Sequence, residues 1–242
     1  MTDEIEFRSD VTVELVRAQA SDNDVLFAAR VSTVGEQTLA EAGTDEELAA
    51  RDRGLINYLM RDRHGTPFEH NSLTFYVQAP IFVFREFQRH RIASYNEESG
   101  RYRQLRPVFY VPAPERNLIQ RGKPGKYEFF PGNESQTNLV ATQIREQSAA
   151  AYRSYEQMLD AGIAREVARM VLPLNIYSSM YVTMNARALM NFLSLRTKDE
   201  TSAFPSFPQR EIEMCAEKME AFWRECMPVT AETFQANGRV AP

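Results

Sequence analysis

Apolar residues recur with two different periods along this chain, and together these periods restrict the fold classes open to it. Between Leu73 and Ala79 apolar and polar residues alternate, as in a strand with one buried face. Between Leu48 and Met60 apolar residues recur at helical spacing. Segments of both kinds follow one another without strict β–α–β alternation. This order predicts an α+β protein with helices packed on a central antiparallel-type sheet.

Turn and capping residues add the bounds of the predicted elements. Strands are predicted at Val11–Ala18, Leu73–Ala79, Val108–Val111 and Tyr177–Met184. Three helices are predicted from their caps: one after Ser21 or Asp22 through Ala29, one after the capping box Thr44–Glu47 up to Met60, and one from Ala186 to Leu195, capped by Asn185. Four more are predicted at Pro80 to Arg91, Glu134 to Asp160, Arg165 to Val171, and Glu211 to Cys226, the last ending before Pro228. Residues 95–106 are expected to form a polar loop, and 112–133 a mobile, irregular excursion.

The length and composition describe an ordinary folded protein. The chain has 242 residues, of which 43% are hydrophobic and 25% charged, so a disordered or fibrous chain is excluded. No linker separates two halves, and one domain spanning residues 1–242 is expected. No apolar run approaches the roughly 18 residues of a membrane helix, and the N-terminal residues are acidic. A cytoplasmic location without membrane contact is therefore expected.

Cysteine and histidine spacing argues against disulfides and metal sites. Cys215 and Cys226 lie eleven positions apart in a predicted helix, which separates them by about 16 Å, too far for a disulfide. They are expected to be free thiols, and neither has a histidine nearby in sequence that would activate it. The three histidines, His64, His70 and His90, do not have the spacing of a zinc site, so no metal is predicted.

Several common catalytic motifs are absent. No two of the ten glycines are separated by a single residue, so the chain has neither a dinucleotide-binding G-x-G-x-x-G nor a Walker loop. It also lacks G-x-S-x-G, H-E-x-x-H and C-x-x-C, which excludes the common hydrolase, zinc protease and thioredoxin-like classes. A nucleotide would therefore have to be bound by side chains.

Charge is distributed unevenly. The net charge is −5, but residues 85–106 hold six arginines and three glutamates, a local +3 that leaves −8 for the rest. A small cationic region in an acidic protein indicates an anionic small molecule. Binding of single-stranded nucleic acid through the arginines and tyrosines of 89–110 is an alternative, against which the net charge weighs.

The segment Arg89–Tyr102 has the residue types that recognise a nucleoside monophosphate. Arginine forks match phosphate and the edge of a pyrimidine, and Ser99, Gly100 and Arg101 could surround the same anion. Asparagine and glutamate supply donors and acceptors for a sugar hydroxyl or an imide edge. The simpler alternative is a solvated basic helix end followed by a turn, and we keep that interpretation for Arg103 and Arg106.

The spacing Arg89-His90-Arg91, seven residues, then Ser99 resembles the RHR-x7-S signature of the flavin-dependent thymidylate synthases. Blocks at His64–His70, Arg165–Arg169 and Asn185–Leu193 are similar to further family blocks in the same order, and the resemblance covers about residues 11–196. It implies a homotetramer with shared active sites that methylates dUMP to dTMP. Methylenetetrahydrofolate would supply the carbon, and NADPH would reduce the FAD cofactor.

The resemblance also implies roles for individual residues. FAD would contact Ser32, His64, Thr66, Glu69, Arg89, His90, Arg91, Ile92, Asn185, Arg187 and Asn191. The substrate dUMP would contact Glu86, Arg89, Glu97, Ser99, Gly100, Arg101, Arg169 and Arg196. Catalytic roles would belong to Arg101, Arg196, Ser99 and His64, with the arginines stabilising negative charge on the uracil. For Ser99 an anion-binding hydroxyl is favoured over a nucleophile, because the sequence offers no adjacent base.

Some of these assignments have an alternative interpretation. Glu86 stands where some family members have glutamine, and beyond Arg196 the chain departs from the family pattern, so no role is assigned there. Of the pair Arg165 and Arg169, one helical turn apart, only Arg169 is kept as a ligand, and the apolar run within Leu189–Leu193 is expected to be core. The alternative function is a non-catalytic sensor that binds pyrimidine nucleotides.

Overall fold

The protein folds as the expected α+β mixture. The computed structural model describes residues 4–35, 46–123 and 126–242. The strands are β1 (Glu6–Arg8), β2 (Thr12–Gln19), β3 (Ser72–Pro80), β4 (Ser94–Glu97), β5 (Val108–Tyr110), β6 (Asn117–Lys123), β7 (Lys126–Pro131) and β8 (Tyr177–Met184). The helices are α1 (Asp22–Val34), α2 (Glu46–Arg61), α3 (Ile81–Phe87), α4 (Glu134–Asp160), α5 (Arg165–Ala168), α6 (Ala186–Arg196), α7 (Arg210–Cys226) and α8 (Pro228–Ala236). Two 3-10 turns lie at Thr66–Glu69 and Arg169–Val171.

The strands of the described residues form three sheets. The largest has the order β2-β3-β8-β4, while β1 pairs with β5 in parallel and β6 pairs with β7 as an antiparallel hairpin. On β3, Leu73, Phe75, Val77 and Ala79 are buried, as their alternation predicts. The apolar residues therefore select the core-facing side of this strand.

Side-chain caps define where several helices begin. Ser21 and Asp24 form a reciprocal capping box at the start of α1, and Asn133 and Gln136 form another at α4. The Asn185 Oδ1 accepts a hydrogen bond of 2.9 Å from the Ala188 amide, which confirms the predicted cap of α6. The capping box predicted at Thr44–Glu47 begins outside the described residues.

The chain divides into two compact units, each assembled from three separate segments. Residues 1–12, 78–87 and 97–180 make the first unit, and residues 13–77, 88–96 and 181–242 make the second. The first unit has a buried core of Leu105, Phe109, Tyr152, Tyr155, Ala168 and Ile176. The second buries its own aromatic and sulfur-containing side chains, including Phe68, Phe75, Phe192, Met219, Trp223 and Phe234. The expectation of one domain across 1–242 remains a prediction.

The helix predicted from Pro80 to Arg91 is shorter than expected. Pro80 ends β3, and α3 runs only from Ile81 to Phe87. Val83, Phe84 and Phe87 are its buried residues, and no apolar residue follows at helical spacing to continue that face. The segment Arg89–Arg91 therefore lies in the turn that follows α3, not in the helix.

Other differences fall in segments rich in proline, glycine and charge. The predicted excursion at 112–133 contains the β6–β7 hairpin, with Gln120 opposite Phe129. The predicted polar loop at 95–106 begins within β4, and Pro228 starts α8 as well as following α7. Proline suits the first turn of a helix because its missing N–H needs no partner there.

Both cysteines are free, as predicted. Burial raises the pKa of the Cys215 thiol to about 12, so this side chain is not an activated nucleophile. Among the described residues, no three His, Cys, Asp or Glu side chains are grouped as metal ligands. No helix in that part of the chain is long and apolar enough to cross a membrane.

Candidate functional site

In the first unit, the turn after β4 brings together several of the predicted substrate residues. The Ser99 carbonyl accepts hydrogen bonds from the amides of Tyr102 and Arg103, at 3.1 and 3.3 Å. The Ser99 Oγ accepts from the Arg101 amide at 3.3 Å. This hydroxyl therefore helps to shape the turn, as serine does in many turns.

Two arginines flank that turn. Arg101 Nε donates to Glu166 Oε2 at 2.9 Å, and both side chains remain more than half exposed. Gly100 is buried, and a Cβ there would lie 3.2 Å from Arg169 Cδ and 3.1 Å from Leu105 Cδ1. The absence of a side chain at Gly100 thus lets Arg169 pack against the turn.

The turn is held in place from two sides. Tyr155 Oη accepts from the Leu105 amide at 3.2 Å, and Tyr152 Oη donates to the Leu105 carbonyl at 3.0 Å. At the other end, the Glu98 amide donates to the Ser179 carbonyl at 2.8 Å. Two residues of α4 and one residue of β8 therefore fix where Arg101 emerges.

Two adjacent glutamates have different environments. Glu97 as a whole is exposed, but the protein atoms around its carboxyl raise its pKa by desolvation, an effect that Ser178 and Arg169 oppose. Glu98 accepts from Ser179 Oγ at 3.1 Å and forms an ion pair with Arg103 at 3.0 Å. Arg103 thus has a structural partner.

In the second unit, the 3-10 turn Thr66–Glu69 carries two predicted flavin residues, Thr66 and Glu69, and a third, His64, lies just before it. Phe68 is fully buried and anchors the turn, while His64, Thr66 and Glu69 are exposed. The His64 amide donates to the Leu59 carbonyl at 2.9 Å, and its ring lies 5.5 Å from that of Tyr58. The turn presents polar side chains above an apolar anchor.

Helix α6 packs near this turn, and its Arg187 forms an ion pair with the turn. Arg187 Nη1 donates to Glu69 Oε1 at 2.5 Å. Gly65 is buried, and a Cβ there would lie 2.5 Å from Arg187 Cζ. Arg187 and Asn191, one turn apart, face outward, whereas Leu189, Met190, Phe192 and Leu193 are buried, as predicted for core residues.

His90 connects the turn after α3 to the end of α6. Arg196 Nε donates to His90 Nε2 at 2.9 Å, and the imidazole packs edge-on against Phe192 with ring centroids 4.8 Å apart. Burial, with the nearby charge of Arg196, lowers the pKa of His90 to about 4. His90 is therefore neutral at pH 7, and its proton lies on Nδ1 because Nε2 is an acceptor.

The remaining predicted residues lie at exposed or half-buried positions. Arg89 and Arg91 are exposed, and no other residue in the described ranges forms an ion pair with either. Ile92 is 74% exposed. Ser32 on α1 donates to the Ala29 carbonyl at 2.9 Å, an ordinary contact for a helical serine, and Glu86 lies half-buried on α3. The ligand roles of these residues remain predictions.

Sequence reasoning missed several residues that contact the predicted ones. Glu166, Tyr58 and Phe192 touch Arg101, His64 and His90, respectively. Glu166 and Phe192 lie in the family blocks Arg165–Arg169 and Asn185–Leu193, but neither block predicts these contacts, because each pairing depends on the tertiary fold.

The fold and the two groups of side chains define an α+β protein with exposed arginines in each of its two units. The model of the family "Thymidylate synthase complementing protein" matches residues 14–229. The flavin-dependent thymidylate synthase of Streptomyces coelicolor is 64% identical over 239 residues, covering 98% of this chain and 96% of that protein. The one from Thermotoga neapolitana is 44% identical over 222 residues, covering 92% and 89%.

Solved structures agree with the sequence comparison. A UMP/dUMP methylase, PolB from Streptomyces cacaoi bound with 5-Br dUMP, is similar with a TM-score of 0.92 and 54% identity. The similarity covers 98% of this chain and 100% of that one. The chain therefore belongs to the family of flavin-dependent thymidylate synthases, which confirms the resemblance found in the sequence.

Proposed function

We propose that this protein is an FAD-dependent thymidylate synthase that methylates dUMP to dTMP, with methylenetetrahydrofolate as carbon donor and NADPH as reductant. The observation that carries the proposal is the similarity, over nearly the whole chain, to a methylase bound with a dUMP analogue. The arginine-flanked turn at Ser99–Arg101 supports it independently. A cysteine mechanism receives no support, because the Cys215 pKa is raised and Cys226 is no better activated.

The first-unit residues suit the nucleotide. Arg101 and Arg169 supply two guanidinium groups for the phosphate, with Ser99 Oγ beside the Arg101 amide as a further hydrogen-bonding group. Glu97, whose pKa is raised by desolvation, offers a carboxyl group to the uracil or sugar. The role of Glu86 in the same set remains the least constrained.

The second-unit residues fit FAD by their chemistry. Arg89 and Arg91 are exposed and form no ion pair within the described chain, so both guanidinium groups are available to a dinucleotide diphosphate. Arg187, Asn185 and Asn191 on α6, with His64, Thr66 and Glu69, would hold the rest of the cofactor. When bound, FAD supplies the reducing equivalents for the transferred carbon, which NADPH restores.

Arg196 is the residue we assign to the developing charge on the uracil. When C5 of the pyrimidine becomes nucleophilic, negative charge grows on the ring, and a fixed guanidinium stabilises it. His90 accepts from Arg196 Nε and so limits the orientations of that guanidinium. The role of His64 at the flavin remains part of the proposal.

The proposed enzyme is a homotetramer in the cytoplasm. In the second unit, Tyr76 and Tyr181 lie with ring centroids 5.8 Å apart, and Tyr181 is 50% exposed. Aromatic side chains on an exposed sheet face are typical of subunit contacts. Two free cysteines suit a reducing compartment.

The decisive experiment measures dTMP formation by the purified protein from dUMP, methylenetetrahydrofolate and NADPH, with and without FAD. We expect product only when FAD is present, and omission of NADPH or of the folate should abolish it. A protein that binds dUMP but forms no product under any of these conditions would instead be the pyrimidine-nucleotide sensor. UMP tested in parallel would show whether the enzyme discriminates the ribose.

A further inference from the structure

Four residues that no functional motif includes, Arg239–Pro242, contact both ends of α6. We call residues 239–242 the strap. At one end, the guanidinium of Arg239, which is 3% exposed, donates to Thr197 Oγ1 at 2.5 Å. The same guanidinium donates to both carboxylate oxygens of Glu220, each at 2.8 Å. Thr197 follows Arg196 directly, so this end of the strap holds the last turn of α6.

The other end of the strap contacts the first turn of the same helix. Pro242 is buried, and its carbonyl oxygen accepts a hydrogen bond of 2.5 Å from Arg187 Nε. Arg187 is thus held on three sides: by the strap, by the Glu69 carboxylate and by close packing on Gly65. Its side chain remains 45% exposed, so a ligand can still reach it.

The middle of the strap is fixed by Arg63. Its Nη1 donates to the carbonyl oxygens of Val240 and Ala241, at 2.9 and 3.2 Å. Within the described backbone, Arg63 and Arg239 are the two non-glycine residues with positive φ, at 64° and 55°. Such conformations persist where the surrounding structure determines them, and they cluster at functional sites. Both strained residues belong to the contacts that hold the strap.

We infer that the strap is a positioning element for the flavin-binding side chains of α6, acting chiefly through Arg187. This inference rests on the proposed function, in which Arg187 binds FAD. Without the backbone oxygen of Pro242, Arg187 would keep its packing on Gly65 and an exposed ion pair with Glu69, and exposed ion pairs hold long side chains weakly. The strap therefore restricts the rotamers of Arg187 before FAD binds, which lowers the entropy cost of binding.

Variants at Arg63 test the strap without changing any predicted flavin residue. Arg63→Ala removes the donor to Val240 and Ala241, and a second variant ends the chain after Arg239. The matched control is Arg53→Ala, because Arg53 is an exposed arginine of α2 that pairs with Glu232 of α8 and not with the strap. FAD affinity is measured by the quenching of flavin fluorescence, and folding by circular dichroism.

Both strap variants are expected to raise the Kd for FAD at least tenfold while they stay folded, and Arg53→Ala to leave it within twofold. Arg63→Lys, which retains a donor, should restore part of the affinity, a rescue that general destabilisation does not produce. Unchanged FAD affinity in folded Arg63→Ala would overturn the inference. This result decides even if the shortened chain fails to fold. If the unmodified protein binds no FAD, the proposed function fails instead.

Discussion

At the scale of single residues, a neutral histidine orients a cationic arginine. His90 accepts from Arg196 across 106 positions of sequence, and its ring rests on Phe192. Because burial keeps His90 uncharged, it orients the guanidinium without repelling it. The arginine assigned to the uracil is therefore steered by a residue that the motif alone assigns to the flavin.

Replacement of His90 should affect turnover through Arg196. His90→Phe keeps an aromatic ring against Phe192 but removes the acceptor, and at saturating FAD we expect kcat to fall about 10²-fold, the scale for a misplaced catalytic group. His90→Gln keeps an oxygen acceptor and should lose less. Steady-state kinetics would contradict this role if the two variants lost kcat equally.

Gly100→Ala should weaken nucleotide binding. The new methyl group would press on Arg169 Cδ and Leu105 Cδ1, at 3.2 and 3.1 Å, and the exposed Arg169 is the neighbour that can move. We expect the Kd for dUMP, measured by calorimetry, to rise about tenfold, as for a lost charge-assisted hydrogen bond.

Gly54→Ala is the matched control for that variant. In the described part of the chain, a methyl group at Gly54 on α2 meets open space. Nucleotide affinity should be unchanged, and alanine should stabilise the helix by about 0.5–1 kcal/mol. Equal dUMP affinities in the two variants would show that Arg169 is not displaced.

At the scale of elements, strong periodicity and caps made much of the fold predictable. Helix α4 has the predicted bounds, and β8 and α6 differ from theirs by at most one residue. The hairpin at Asn117–Pro131 was not predicted, because its strands are mostly exposed and have no buried face to impose alternation.

The candidate site was likewise only partly predictable from the sequence. The Arg89–Arg101 region was recognisable because its residue types and spacing are unusual. In contrast, the pairing of Arg101 with Glu166 joins residues 65 positions apart, and only the tertiary fold establishes it. The contacts of Arg187 with Glu69 and Pro242 belong to the same class.

Gly122→Ala should open the hairpin locally. Gly122 has φ of +102°, and a Cβ there would lie 2.3 Å from the Lys126 carbonyl oxygen, a backbone atom that cannot move aside. We expect limited trypsin digestion to cleave faster at Arg121 and Lys126, with little change in Tm, because the hairpin is mostly exposed.

Gly162→Ala is the control that separates backbone strain from the steric clash expected in Gly122→Ala. Gly162 has φ of +80°, but the space around its Cβ position is open in the described chain. This variant should lose about 1 kcal/mol of stability, the usual cost of a left-handed conformation for alanine, and keep the normal hairpin digestion rate. Faster hairpin cleavage in both variants would assign the effect to general destabilisation.

At the scale of the whole molecule, the assembly of subunits can be tested by substituting exposed side chains. Tyr181→Lys puts a charge on the exposed sheet face beside Tyr76, and we expect the mass measured by light scattering to fall below that of a tetramer. Tyr181→Phe keeps the apolar area and should remain assembled. A Tyr181→Lys protein of unchanged mass would place the subunit contact on another surface.

The strand order also determines what happens while the protein is being synthesised. In the largest sheet β4 pairs with β8, yet β4 ends at Glu97 and β8 begins at Tyr177. At about 5–20 residues per second, β4 leaves the ribosome roughly 4–16 s before its partner. During that interval the arginine-rich segment around β4 has no partner strand on β8, so chaperones that recognise nascent chains would meet it in that state.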